Sequence, residues 1–150
     1  MFGNENMTYV TDAYLQKVIL GHTRSVSNLV RYIHFHEKHS ENWNIRICNH
    51  NIEIYDEQGW RTVNTEYILD TLVLKYWEFL VNFYEKINRK DFRNKLISIE
   101  TYNKLDRFVS DFKSMYSETF RDIKNDVYNT IETGLTKCDR FILISDDDSE

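Results

Sequence analysis

The chain has 150 residues, of which 41% are hydrophobic, 29% charged and 15% aromatic, and it carries a net charge of −5 at neutral pH. A chain of this length hides roughly 70% of its unfolded surface around one core, so its stability requires neither a disulfide framework nor a structural metal. The longest unbroken apolar run is four residues, Phe141 to Ile144, against the about 20 that a spanning helix needs, and no membrane partner is expected.

In chain order, Met1 to Tyr9 has neither the basic head nor the apolar stretch of a secretion signal, so an intracellular location is expected. Thr11 is placed to cap a first helix, with Asp12 in its first turn. Tyr14, Leu15, Val18 and Ile19 repeat at helical spacing until Gly21 ends it. A second helix is expected from Ser25, with Val26, Leu29, Val30 and Ile33 on one face. Arg24, Arg31 and Lys38, seven residues apart, fall on another. Residues 39–44 read as a turn, because serine and asparagine side chains bond neighbouring backbone groups.

The period then changes from about 3.6 to 2. Residues 44–47, 52–55 and 60–63 each alternate apolar and polar side chains, with turns at 49–51 and 56–59, which predicts a three-stranded antiparallel meander. A face carrying Ile45, Ile47, Ile52, Ile54 and Trp60, or their alternates, must pack on helices, since a small isolated sheet is marginal in water.

Helical spacing resumes after Asn64. Leu69, Leu72, Tyr76, Phe79, Phe83 and Ile87 form one stripe of a helix that is apolar on several sides, and residues 88–91 form a polar link. A final helix is predicted from Ser98 to Gly134. Its stripe of Tyr102, Leu105, Val109, Phe112, Tyr116, Phe120, Ile123 and Val127 continues to Ile131. Such a rod, about 35 residues and on the order of 50 Å long, exceeds the ~15 Å radius of gyration of a compact chain, so it must break or project. The predicted fold is therefore α+β: two amino-terminal helices, a meander and two long carboxy-terminal helices. Residues 1–136 form one domain, and 137–150 are a short apolar segment and an acidic tail.

Four candidate chemistries follow. First, the aromatic stripes either pack on each other as an antiparallel pair or form a symmetric homo-oligomer interface. The latter is the functional expectation, a non-enzymatic assembly module using Tyr102 to Val127. Second, residues 17–50 hold five cations against two anions, a net of +3, so the remainder carries −8. Arg24, Arg31, Lys38 and Arg46 there have the pattern of a nucleic-acid surface built on helix two and the hairpin, or of a solvated helix face. Third, all five histidines fall in the same stretch. His34, His36, His39, Cys48 and His50 have the atoms zinc requires, but not a recognised ligand spacing. The plainer expectation is that His34 is a buried hydrogen-bonding residue joining helix to turn. Fourth, Asn49-His50-Asn51 between two strands has the look of a metal-dependent nuclease hairpin, yet the following helix offers Glu66 and Asp70 without a histidine. No cofactor motif is present, and no small-molecule substrate is implied. Cys48 and Cys138, ninety residues apart, are expected as reduced thiols.

Several strings taken together carry a resemblance. Phe2-Gly-Asn-Glu-Asn6 with Tyr9-Val10-Thr11, then Ile33-His34-Phe35, His39-Ser-Glu-Asn42-Trp-Asn44-Ile45, Tyr55 and Trp60 resemble a domain common in nucleocytoplasmic large DNA viruses. There it typically lies at the carboxy end, behind a zinc-finger-like module and a predicted coiled segment. The resemblance covers roughly residues 2–75 and departs from the usual pattern at His36, Ser40 and Trp43. It implies a viral setting (host cytoplasm, viral factory or virion) and a nucleic-acid-associated parent, but no reaction. Asn42, Asn44 and Trp60, with His34, are expected to be structural. A single alanine, no proline and an excess of asparagine, isoleucine, tyrosine and phenylalanine are what AT-rich codons produce.

Overall fold

A computed structural model describes residues 1–90, 103, 106 and 118–134. Thr11 caps α1 (Asp12–Ile19), its Oγ1 accepting from the Tyr14 N–H at 3.1 Å. The helix stops at Leu20, before Gly21, whose N–H bonds the Val18 carbonyl. A 3-10 turn, His22–Arg24, leads into α2 (Ser25–His34). Ser25 begins this helix without capping it; its hydroxyl is buried and donates to the Ile19 carbonyl. A second 3-10 turn, Ser40–Asn42, brings the chain to the sheet.

The sheet has the order β1-β2-β3, all antiparallel: β1 (Ile45–Cys48), β2 (Asn51–Asp56) and β3 (Gly59–Thr62). Asn49 and His50, both at positive φ (54° and 68°), make the two-residue reversal whose twist matches the paired strands. At the second reversal Gly59 takes φ 92°, and Asp56 Oδ1 accepts from the Gln58 N–H. Register sets the faces. Ile45 pairs Ile54 and Ile47 pairs Ile52, so these four share the helix-facing side. Trp60 pairs Tyr55 and therefore lies on the opposite side, with Arg46 and Glu53, which corrects its expected place among the isoleucines.

Asn64 caps α3 (Thr65–Lys90), Oδ1 to the Tyr67 N–H at 2.9 Å. This helix continues through the expected polar link as far as Lys90. Its buried stripe is Leu69, Leu72, Val73, Tyr76, Leu80, Phe83 and Tyr84. Phe79, expected within it, is only partly buried against the core. The last described helix, α4 (Glu118–Glu132), is 15 residues, about 22 Å at 1.5 Å per residue. It lies against α2, α3, β1 and the first 3-10 turn. Its aromatic and aliphatic stripe is consequently covered by the chain itself: Phe120 is 1% exposed, and Ile123 and Val127 not at all. Of the expected interface, these three residues are core. Tyr102, Leu105, Val109, Phe112 and Tyr116, the Ser98 cap, the domain boundary at 136 and the acidic tail lie outside the described residues. Asp106 accepts from the Tyr84 hydroxyl at 3.1 Å.

Two local features fix α4. Lys124, 16% exposed, reaches Glu66 at 2.8 Å and Asp70 at 3.1 Å on α3. Gly134 lies so close to Phe35 that a Cβ there would meet Cε1 of the ring at 2.5 Å, so only glycine fits without movement. Cys48 is disulfide-bonded, which overturns the expectation of a reduced thiol at that position. Such a bond persists in oxidising surroundings; Cys138 lies outside the described residues. None of the described helices is long and apolar enough to cross a membrane.

Candidate functional site

Two constellations stand out, one sealed and one open. The sealed one begins at Glu5, whose side chain is 1% exposed. Its carboxylate accepts from Asn44 Nδ2 at 2.8 Å, from Lys75 Nζ at 2.9 Å and from the Gly3 N–H at 2.7 Å. Because Asn44 donates through Nδ2, its Oδ1 is left to accept from His34 Nδ1–H at 2.8 Å. The imidazole then carries its proton on Nδ1, and Nε2 accepts from the Tyr76 hydroxyl at 2.6 Å. His34 and Tyr76 are fully buried. Beside this chain, Asn42 Oδ1 accepts from the Asn6 N–H at 2.7 Å, and its Nδ2 donates to the Asn6 carbonyl and the Tyr9 hydroxyl. Tyr9 in turn donates to the Ile33 carbonyl at 2.9 Å. Phe2 stacks over His34, and its N–H bonds the Tyr55 carbonyl. The result is a strap: residues 2–9 are tied across the end of α2 and the turn that follows it.

Burial pushes the His34 imidazole down, against smaller opposing pulls from Glu5 and the Asn44 hydrogen bond. Burial acts to raise Glu5, but His34, the Lys75 ion pair and the Gly3 N–H outweigh it and hold the carboxyl below its ordinary value. Burial also raises the Tyr76 phenol well above its usual range, which keeps it a donor. Both His34 and Glu5 therefore make folding less favourable in acid. Below the unfolded imidazole value of about 6.5, the unfolded chain binds a proton that the folded chain refuses. The Glu5 contribution, present above the unfolded carboxylate value, is lost as pH falls further through its folded value. Thermal melts taken from neutral pH downward are expected to lose stability on the order of 1 kcal/mol per pH unit once below about pH 6.5. A pH-independent melting temperature down to about pH 5 would contradict this arrangement.

The open constellation is a cleft of about 500 Å³ between α1 and the end of α2. Lys17, Arg31 and Lys38, all exposed, stand around it, and Tyr14, Tyr32 and His36 line it. Glu37 is the one anion among the described residues of the lining. Burial, then the neighbouring Tyr32, push the Tyr14 phenol up to about 12, so the ring stays neutral in any physiological setting. A second groove, about 240 Å³, shares Asn28 and Arg31 with the first and continues to Arg24 beside Asn129 and Thr130 of α4 and Thr133 just after it. Asp126 is its anion.

No known protein family, curated protein or solved structure matches this chain. Of the four cations singled out in the sequence, the fold brings Arg24, Arg31 and Lys38 to one continuous surface. Arg46 is elsewhere: it is 5% exposed, its guanidinium bonds Glu53 at 2.8 Å and lies 4.0 Å from the Trp60 ring centroid. A cation so packed is a strut of the sheet, not a phosphate contact. His34, Asn42 and Asn44 meet beneath the strap, while Trp60 covers Arg46. Among the described residues no three His, Cys, Asp or Glu side chains are grouped as a metal would need. Glu66 and Asp70 are turned to Lys124 and not to His50, which separates the elements of the nuclease reading. His36 and His39, which follow the end of α2, lie close together, their ring centroids 4.9 Å apart.

Lys17, Tyr14, Tyr32 and His36 belong to the open site, and Glu5, Lys75 and Tyr76 to the sealed one; sequence reasoning assigned none of them a role there. A signal existed for the first group. Tyr14 and Lys17, and Asn28, Arg31 and Tyr32, each recur at three to four residues on helix faces.

Proposed function

We propose that this chain is a non-enzymatic binding module whose partner is nucleic acid, held at the α1–α2 cleft and the groove that continues it. One observation carries the reading: four exposed cations, Lys17, Arg24, Arg31 and Lys38, border one connected concave surface on a chain of net charge −5. Charge of the minority sign gathered where a ligand fits favours a polyanion. The sealed His34–Tyr76 pair, which has a hydrogen-bond geometry suited to proton transfer, is out of reach of any substrate, and this supports a binding role over a catalytic one. The resemblance to the large-DNA-virus domain supports a nucleic-acid-associated setting, and its quoted strings fall in the strap, the end of α2 and the turn that follows it, with Tyr55 and Trp60 on the sheet. Assembly of copies through the carboxy-terminal helices finds no support at Phe120, Ile123 or Val127, which the chain covers itself.

Fluorescence anisotropy with labelled DNA tests this. If about three phosphates are neutralised, affinity is expected to fall about 20- to 40-fold between about 50 and about 200 mM salt. Arg31→Ala is expected to flatten the log–log slope by about 1. Absence of binding at the lower salt, or an affinity indifferent to salt, would reject the reading.

A further inference from the structure

The cleft holds rings as well as charge. Tyr14 stacks on Tyr32 with centroids 3.7 Å apart and planes 15° apart. His36 meets Tyr32 edge-on at 5.0 Å and Tyr9 at 5.2 Å. Tyr9 lies flat on His39 at 3.7 Å, with 3° between planes. Five half-buried rings thus form one array across the end of α2. Tyr14 also packs against the core, whose share of α2 is Val26, Leu29, Val30 and Ile33 on the other face.

Resting on the nucleic-acid reading above, we propose that the partner is a single strand, one base of which stacks in the cleft on the Tyr14–Tyr32–His36 rings. The backbone then runs along α2, past Arg31 into the second groove toward Arg24. Three features of the chemistry select this occupant. Aromatic faces bind base faces, and a duplex keeps those faces inside its own stack. A volume of about 500 Å³ suits one small-molecule-sized group such as a nucleotide, whereas a duplex offers only edges and phosphates to a cleft of that size. Arg24, just before α2, and Arg31 within it are seven residues apart, about 10 Å along a helix, so one backbone can meet both. Arg31 borders both concavities, so a base in one and a phosphate in the other are bridged by the same side chain.

The test compares a labelled oligothymidine of about twelve nucleotides, within the usual site size of single-strand binders, with its matched duplex at one salt concentration. Thymidine monophosphate serves as competitor. The full chain is expected to prefer the single strand by about tenfold or more. Tyr32→Leu is expected to lose about tenfold of that affinity with its salt slope unchanged, and Tyr32→Phe to keep it. Melting curves confirm that the variants fold, and the strand-against-duplex comparison needs no variant. Equal or tighter binding of the duplex, or a Tyr32→Leu variant that folds and binds the strand unchanged, overturns the single-strand site while leaving the nucleic-acid reading. Competition by the mononucleotide at the affinity of the strand overturns it in favour of a free nucleotide. Failure of both strand and duplex to bind overturns both proposals.

Discussion

Replacing His34 with leucine is expected to lower the stability of the chain by about 4 kcal/mol, the sum of two buried groups left without partners at about 1–3 kcal/mol each. The volume is nearly kept, so the loss is not chiefly a cavity. It arises because Asn44 Oδ1 and the Tyr76 hydroxyl, at 2.8 and 2.6 Å from the ring nitrogens, have no water to turn to. In a domain whose total stability is about 5–15 kcal/mol, this is a large fraction, and the melting temperature is expected to drop by about 8–16 °C. Tyr76→Phe removes one of the two bonds and is expected to cost about 1–3 kcal/mol. Combined, the two changes should cost less than their sum, because the leucine variant has already orphaned the phenol that phenylalanine removes. Melting curves of the two single variants and the double one check this; strict additivity would mean that the side chains do not act as a chain.

The second large effect concerns Phe120. Phe120→Ala is expected to destabilise the chain by about 3–5 kcal/mol, as truncation of a fully buried aromatic ring does. Its ring is 1% exposed and lies in the core that α2, α3 and α4 share. The expected signature is a lowered melting midpoint with no change of solution mass while the chain is folded. Sedimentation together with denaturant titration separates the two outcomes. A variant that melts normally but loses a dimer seen in the parent chain would place Phe120 in an interface after all.

Much of the fold was legible because local chemistry agreed with it. Thr11 could be read as a cap because its hydroxyl has one natural partner, the Tyr14 N–H. The meander was legible because Ile45, Ile47, Ile52 and Ile54 alternate with polar residues. Trp60 was misplaced because a shift of one position in pairing moves a side chain to the other face, and only the turn ending at Gly59 decides that register. The carboxy-terminal helix was harder. Steps of three and four from Tyr102 to Ile131 show which face is apolar, but not what covers it, and α2, α3 and β1 cover its last part. The candidate site was half legible. The spacing of Arg24, Arg31 and Lys38 is helical and visible, whereas Lys17 joins them only because α1 folds beside α2. Tyr14 had been counted with the apolar face, and Glu5 stands 39 residues before Asn44 with nothing in sequence to link them. Arg46 shows the converse: a cation by sequence, it is placed by pairing opposite Glu53 and beneath Trp60.

An amide-resolved NMR titration with oligothymidine tests the central claim most directly, because it locates the partner as well as detecting it. Shifts are expected to concentrate at residues 14–17 of α1 and 24–38 of α2 and its end, with the 57–58 reversal of the sheet unmoved. Shifts centred on the sheet, or none with the strand in excess, would contradict a nucleic-acid site at this cleft.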